Sequence, residues 1–276
     1  DEIDYNINGT LKYLPDTNNT ISLDISTGYR SDEDSSRGTF QRTTIIQTRA
    51  NSDTVNSISY KDFEDGTRSG RYNSLNLNYT HDFDRKDHKL ESYLHLSRRD
   101  GESKELQKQF NNGIVEYGEK NTEGGPSRGL EFKIDYTLPI NKEKKLEAGL
   151  QSRVRDETET NERFLYDFAT DQFESEPTVE REMNYMRNIH GIYSTYSSKN
   201  GGFGYQLGLR GEYTHRDINS DTSFIIERFD IFPTLHTSYS ITKEQELMAS
   251  YSRRIRRPRS WYMEPFEQWE NQYNVR

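Results

Sequence analysis

The sequence of 276 residues contains no cysteine, so it offers neither a disulfide framework nor a thiolate metal site. It also contains no apolar run of the about 18 residues that a transmembrane helix requires. The first residues, DEIDYNINGT, lack the basic and apolar regions of a signal peptide, so the chain is cytoplasmic, mature or a fragment. The six histidines share no metal-ligand spacing and no nucleophile motif is present. We therefore expect no metal, no cofactor and no catalytic residue.

Apolar residues are scarce as well. Hydrophobic residues make up 30% of the chain, and the 18 glycines raise the apolar share to roughly 37%, against roughly 45–50% in ordinary soluble domains. A chain of this length with so few apolar residues could not fill a conventional hydrophobic core. Yet 12% of the residues are aromatic, which argues against disorder. The net charge of -9 disfavours nucleic acid as a partner.

What the sequence does contain is a repeated alternation of apolar and polar side chains. Residues 130–138 place Leu130, Phe132 and Ile134 on one face and Glu131, Lys133 on the other. The same alternation recurs at 3–13, 21–29, 75–79, 90–96, 146–154, 205–213 and 247–251, and less cleanly at 41–48, 55–63, 187–196 and 229–240. The pattern predicts about twelve strands of roughly nine to eleven residues, a length that suits a tilted strand crossing a bilayer.

The connections between these strands alternate in length. Short ones fall at 14–19, 50–54, 81–88, 138–144, 197–203 and 241–245, and long ones at 99–128, 155–184 and 214–228. In an antiparallel up-and-down sheet this rule places the tight turns at one end, as in outer-membrane barrels. We therefore predict an all-β, transmembrane β-barrel whose apolar face meets lipid and whose polar face lines a wet lumen.

A tyrosine precedes most of the short turns. These residues, here called the tyrosine girdle, are Tyr13, Tyr79, Tyr136, Tyr196 and Tyr239. Tyrosine has an apolar ring and a polar hydroxyl, so a ring of tyrosines suits the boundary between hydrocarbon and water. The alternative is the general preference of tyrosine for strands.

Two stretches resemble the outer-membrane β-barrel family of TonB-dependent receptors of Bacteroidetes-type bacteria. They are DYTLPINKEKKLEAGLQSRVRD (135–156) and the more specific FPTLHTSYSITKEQELMASYSRRIRRPRSWYMEPFEQW (232–269). The second has the family's arginine–proline pair at Arg257 and Pro258, and Pro265 and Phe266 of its aromatic loop, although Glu264 stands where the family usually has asparagine. The resemblance covers about residues 70–276.

The resemblance implies a barrel of about 22 strands around an N-terminal plug. We expect residues 1–276 to be roughly the first half of such a barrel, without the plug and the C-terminal strands. The implied function is uptake of a bulky nutrient, such as an iron chelate, peptide or glycan, across the bacterial outer membrane. The implied partners are outer-membrane lipid, the plug and the TonB system, and the resemblance also allows a surface lipoprotein. Lumen charges expected to contact plug or solute include Glu131, Lys133, Asp135, Glu147 and Arg153.

The basic and aromatic residues near the end of the chain are the expected ligand or plug contacts. They are Arg253, Arg254, Arg256, Arg257, Trp261, Tyr262, Phe266 and Trp269. Arginines beside a loop can meet lipid phosphates or a ligand, and exposed aromatics are frequent binding residues, although packing within the loop would use them equally well. Two alternatives to the transporter remain: a soluble all-β binding module and a closed twelve-stranded outer-membrane barrel.

Overall fold

A computed structural model describes residues 2–47, 52–176, 181–220, 222–258, 269–271 and 274–275, with side chains described outside 40–59, 181 and 259–276. Within these ranges the regular structure is entirely β. No helix in them is long and apolar enough to span a membrane. The strands are β1 (Glu2–Tyr13), β2 (Asn19–Gln47), β3 (Ser52–Asp82), β4 (Lys89–Asn111), β5 (Ile114–Pro139), β6 (Lys144–Asp167), β7 (Gln172–Ser175), β8 (Arg181–Asn200), β9 (Phe203–Asn219), β10 (Ser223–Ser240), β11 (Glu246–Ser252), β12 (Trp269–Asn271) and β13 (Asn274–Val275).

Eleven of these strands form one antiparallel up-and-down sheet. Its order follows the chain from β1 to β11, except that the short β7 pairs only with β6, and β12 pairs with β13 in a separate ribbon. Five predicted short turns, at 14–19, 81–88, 138–144, 197–203 and 241–245, lie together at one end of the sheet. Backbone hydrogen bonds join neighbouring turns, as from Asp82 N to Asn18 O at 2.8 Å and from Lys199 N to Glu143 O at 2.9 Å. The predicted fold class is confirmed.

The number and length of the strands differ from the prediction. Segments 41–48 and 55–63 are not separate crossings, because they are the outer parts of β2 and β3, which have 29 and 31 residues. The predicted short connection at 50–54 lies partly outside the described residues, and its described part, 52–54, belongs to β3. β2 and β3 stay paired as far as Gln47 and Ser52, at the end of the sheet opposite the other five turns, so ten strands rather than twelve run between the two ends. The error has a physical cause: the alternation of a strand is the same in lipid and in water, and no breaker marks where one medium ends.

All three predicted long loops, at 99–128, 155–184 and 214–228, are also largely β-structure in their described parts. Strands β4 and β5 continue as a ribbon to a tight turn at Asn112 and Gly113, both with positive φ, 51° and 83°. An Asn-Gly pair between alternating segments is the usual signature of a two-residue hairpin. The sequence carried this signature in QFNNGIV, and our prediction of a loop at 99–128 missed it.

The sheet is a single layer with two different faces. Its outer face carries exposed apolar side chains, such as Ile7 at 65% exposure, Leu209 at 58% and Leu247 at 64%. No second protein layer covers this face in the described part of the chain. The few buried hydrophobic side chains include Met183, Tyr185 and Ile218, which form a small cluster on the inner face of β8 and β9. The hydrophobic content thus lies outside the sheet rather than in a protein core.

The sheet is open at both edges. Among the described residues, β1 pairs only with β2 and β11 only with β10. A closed twelve-stranded barrel would need β1 to pair with the last strand, and the described residues contain no such pairing.

Candidate functional site

Residues 253–258, here called the inner strap, follow β11 and fold over the inner face of the sheet. Arg253 N donates a hydrogen bond to Pro233 O at 3.2 Å. Arg257 Nη2 donates to Glu212 Oε2 at 2.7 Å and lies 3.7 Å from Asp230 Oδ2. These contacts hold the strap against β9 and β10.

The strap is anchored on buried carboxylates. Glu212 and Asp230 are only 6% and 4% exposed. Arg210 Nε lies 2.7 Å from Glu212, and Arg228 Nε lies 2.8 Å from Asp230, so each carboxylate has one arginine from its own strand and shares Arg257. A buried carboxylate needs such partners because its desolvation is costly.

The charged network continues across the wall to β8, β6 and β5. Arg210 Nη2 donates to Gln151 Oε1 at 2.9 Å, and Gln151 in turn donates to Glu131. Tyr193 donates to Asp135, and its ring lies so close to Gly149 that a Cβ there would stand 2.6 Å away. Small residues opposite aromatic rings thus let the inner side chains reach one another.

The structure places the predicted lumen charges on this inner face and pairs them mainly with each other. Lys133 Nζ lies 2.6 Å from Asp135 Oδ2, and Arg153 Nε lies 4.0 Å from Glu131 Oε1. Glu147 is bound by a lysine on its own strand. Their contact with a plug or a solute stays a prediction.

An inner cavity of about 620 Å³ lies beside the strap. It is bordered by β3, β4, β5, β6, β8 and the strap itself, with Ile255 and Arg257 on the strap side. It lies at the level of Leu130 and Val154, the last apolar outer residues before the long strand extensions. The strap and the strands together make a concave surface of a size that suits a small molecule.

Of the ligand or plug contacts predicted near the end of the chain, Arg257 is the one that the structure holds on the inner face by ion pairs. Arg257 is the anchor of the strap, whereas Arg253 and Arg254 border a second, shallower hollow near Arg210 and Phe232, and Arg256 is exposed. Trp261, Tyr262 and Phe266 lie outside the described residues, and Trp269 is described only as backbone in β12. A role of these residues in ligand binding stays a prediction. Sequence reasoning missed Glu212 and Asp230, because no motif distinguishes them from the other acidic residues.

The tyrosine girdle lies at the end with the five short turns. Tyr79 OH donates to Asn19 Oδ1 at 2.7 Å, and Tyr136 OH lies 2.8 Å from His88 Nε2. Phe83 stacks on His88 with ring centroids 4.0 Å apart, so the histidines beside this turn belong to an aromatic cluster. The described residues contain no group of three or more potential ligands placed to hold a metal. The location of the girdle at the membrane interface stays a prediction.

The parts of β4, β5 and β6 that continue beyond the apolar outer face, which belong to the long ribbons of the sheet, carry a second group of buried charges. Arg163 Nη2 donates to Glu119 Oε2 at 2.9 Å, and Glu119 also accepts from Tyr117. Burial, with the nearby Glu119 carboxylate, raises the pKa of Tyr117 to about 12. Burial also raises the pKa of Glu123, and Glu105 adds to the shift.

We expect the β4–β5 ribbon to be more stable at mildly acidic pH. A carboxyl whose pKa is raised in the folded state lowers the free energy of unfolding once it is ionised. This loss of stability is absent below the ordinary glutamate pKa and complete above the raised pKa. Backbone hydrogen exchange in the ribbon, corrected for intrinsic rates, should be slower at about pH 4, below the ordinary glutamate pKa, than at about pH 7.5. Glu123→Gln should remove most of this difference between the two pH values. The difference in the stability of the ribbon should be less than about 1 kcal/mol, because the site is partly exposed to solvent. An unchanged pH dependence in this variant would contradict the assignment.

A single up-and-down antiparallel sheet with an apolar outer face and a charged inner face defines the wall of a transmembrane β-barrel. The chain belongs to the outer membrane protein beta-barrel family, whose model matches residues 81–276. The protein is therefore placed in the bacterial outer membrane, which confirms the predicted family and location.

The fold is similar to that of solved receptors. The siderophore receptor PiuA from Acinetobacter baumannii matches with a TM-score of 0.50 and 8% identity over 90% of this chain and 47% of that chain. The ferric citrate transporter FecA matches with a TM-score of 0.47 and 14% identity over 90% of this chain and 43% of that chain. The chain thus spans less than half the length of these two proteins. A comparison with curated proteins finds no match.

Proposed function

We propose that the chain forms part of the wall of a TonB-dependent outer-membrane receptor that imports a bulky nutrient. The nutrient class comprises iron chelates, peptides and glycans. The observation that carries this proposal is the division of one open sheet into an apolar outer face and a charged inner face. Such a wall provides a wet passage through lipid, and its role is transport rather than catalysis.

The open edges support a larger barrel. β1 and β11 each present a row of backbone N–H and C=O groups that no described strand of the chain binds. Inside a bilayer such groups must be hydrogen-bonded by protein, so further strands would have to complete the ring. The ten end-to-end strands would be somewhat less than half of a barrel of about 22 strands. In this proposal residues 1–276 form one wall domain, and the plug and remaining strands come from other parts of the protein.

The partners follow from the same geometry. Lipid would contact the exposed apolar residues of the outer face, and the plug would contact the inner charges. The TonB system would act on the plug, and a surface lipoprotein would cover the long ribbons. We propose neither a cofactor nor a nucleic-acid partner.

The proposal is tested by uptake. A strain that lacks the gene, a strain that lacks TonB and the parent strain are grown with single iron chelates, peptides or glycans as the limiting nutrient. We expect one nutrient to fail equally in both deletion strains and to be restored by the full-length gene. Unchanged uptake across the panel in the gene deletion, or uptake that continues without TonB, would overturn the proposal.

A further inference from the structure

Most of the charged residues that border the inner cavity are arginines. Among the described residues these are Arg98, Arg99, Arg153, Arg155, Arg187 and Arg257. Arg98 has the register of the outer-face residue Leu96 and lies 3.3 Å from Asp100, so the other five arginines are those on the inner side. Among the residues that the structure describes, Glu131 is the only acidic one that borders the cavity. The whole chain has a net charge of -9, so this positive cavity is opposite in sign to the protein that contains it.

Neighbouring carboxylates neutralise some of these arginines but not all of them. Arg155 lies 2.7 Å from Glu157 and Arg257 lies 2.7 Å from Glu212. Arg99 on β4 and Arg187 on β8 have no ion-pair or hydrogen-bond partner within the described ranges. Two guanidinium groups therefore remain available to a bound anion.

The crowding of positive charge affects a neighbouring residue on β9. Burial, together with the nearby Arg187 and Arg257 guanidinium groups, lowers the pKa of Arg216, which lies beyond the apolar part of the strand. A group in a cavity with one sign of charge and low-dielectric walls experiences a strong field. An anion entering the cavity would be attracted by the same field.

We propose that the inner cavity binds an anionic solute that carries at least two carboxylate or phosphate groups. Arginine binds both groups with two parallel hydrogen bonds, which a lysine cannot do. The cavity volume of about 620 Å³ lies within the range of small-molecule sites, which favours a solute over a macromolecule. The site would select the anionic members of the nutrient class, and in that respect the inference rests on the proposed function.

The test uses the full-length protein purified in detergent micelles and isothermal titration calorimetry. The probes are tricarballylate, a tricarboxylate, and tripolyphosphate, with glucose as a neutral compound and spermine as a cationic one. We expect both anions to bind, with an affinity that falls as salt rises, and the neutral and cationic compounds not to bind.

The key variant is the double substitution Arg99→Gln with Arg187→Gln. It should weaken anion binding at least about tenfold. Neither arginine has an acidic partner that the change would leave unpaired, so the variant should keep the wild-type unfolding transition. The matched control is Arg128→Gln, which removes one positive charge from an exposed position of β5 between two residues that border the cavity. The control should bind like the wild type.

Three results would overturn the inference. They are an absence of anion binding by the wild type, equal affinities of the double variant and the control, and binding that appears only when the plug has been removed. The last result would assign the arginines to an acidic segment of the plug. The uptake experiment is independent of all three, because a receptor for an uncharged nutrient would pass that experiment and fail this one.

Discussion

Replacing Leu207 with arginine is expected to destabilise the protein in a bilayer by roughly 2–4 kcal/mol, the cost of a cation on the lipid face near mid-membrane. Leu207 lies on β9 between Phe203 and Tyr213, in the middle of its apolar outer face, and is 49% exposed. It pairs across the sheet with Leu235 on β10. A guanidinium at this position would have hydrocarbon around it and no carboxylate on the same face nearby.

The matched control is Gln206→Arg. Gln206 is the adjacent residue of the same strand, and its side chain points to the inner face. The same charge at the same depth should cost little there, because the inner face is wet and carries acidic groups. Urea unfolding of the full-length protein in liposomes measures both. Equal transition midpoints for the two variants would show that the apolar face is not solvated by lipid.

Glu212→Gln is the second substitution with a large expected effect. It removes the carboxylate that joins Arg210 and Arg257, and breaking a buried ion pair of this kind costs roughly 3–5 kcal/mol. The strap should also leave the wall, because its main anchor is lost. Limited proteolysis at the arginines of the strap, in the folded protein, should therefore become faster.

Asp32→Asn provides the comparison. Asp32 lies 2.8 Å from Arg30, nearly the distance found for Glu212, but the pair is exposed to solvent. An exposed pair contributes only about 0–1 kcal/mol. Chemical unfolding of both variants in detergent should therefore separate them clearly. If Glu212→Gln unfolded at the same denaturant concentration as Asp32→Asn, the anchoring role of Glu212 would be wrong.

The features of the fold that could be predicted from the sequence are those that neighbouring residues determine. The predicted turn at 138–144 contains Pro139, the last residue of β5, and the charged residues that follow it, and the turn near Gly201 uses a positive φ of 57°. Alternation assigned the two faces, because the side-chain period of a strand is fixed. Strand ends beyond the membrane were not predictable, because the ribbon of β2 and β3 continues the same alternation without a break.

The candidate site was predicted only in part, because it depends on distant contacts. The arginines of 253–258 stood out as a cluster, and Arg257 proved to be the anchor of the strap. Its partner Glu212 is 45 residues earlier on another strand, and the chain offers 46 acidic residues from which to choose. Likewise, Arg99 and Arg187 border one cavity although they are 88 residues apart in the sequence and lie on β4 and β8, and no local pattern in the sequence indicates that the two strands share it.

The length of β3 determines how far the protein extends beyond the surface of the outer membrane. At about 3.3 Å per residue its 31 residues extend roughly 100 Å, and a tilted crossing of the bilayer uses only about 40 Å of that. If the ribbon points outward, as long connections do in outer-membrane barrels, its far end rises tens of ångströms above the lipid surface. An antibody against that end would recognise intact bacteria, while the rim of short turns would be accessible only after the envelope had been opened.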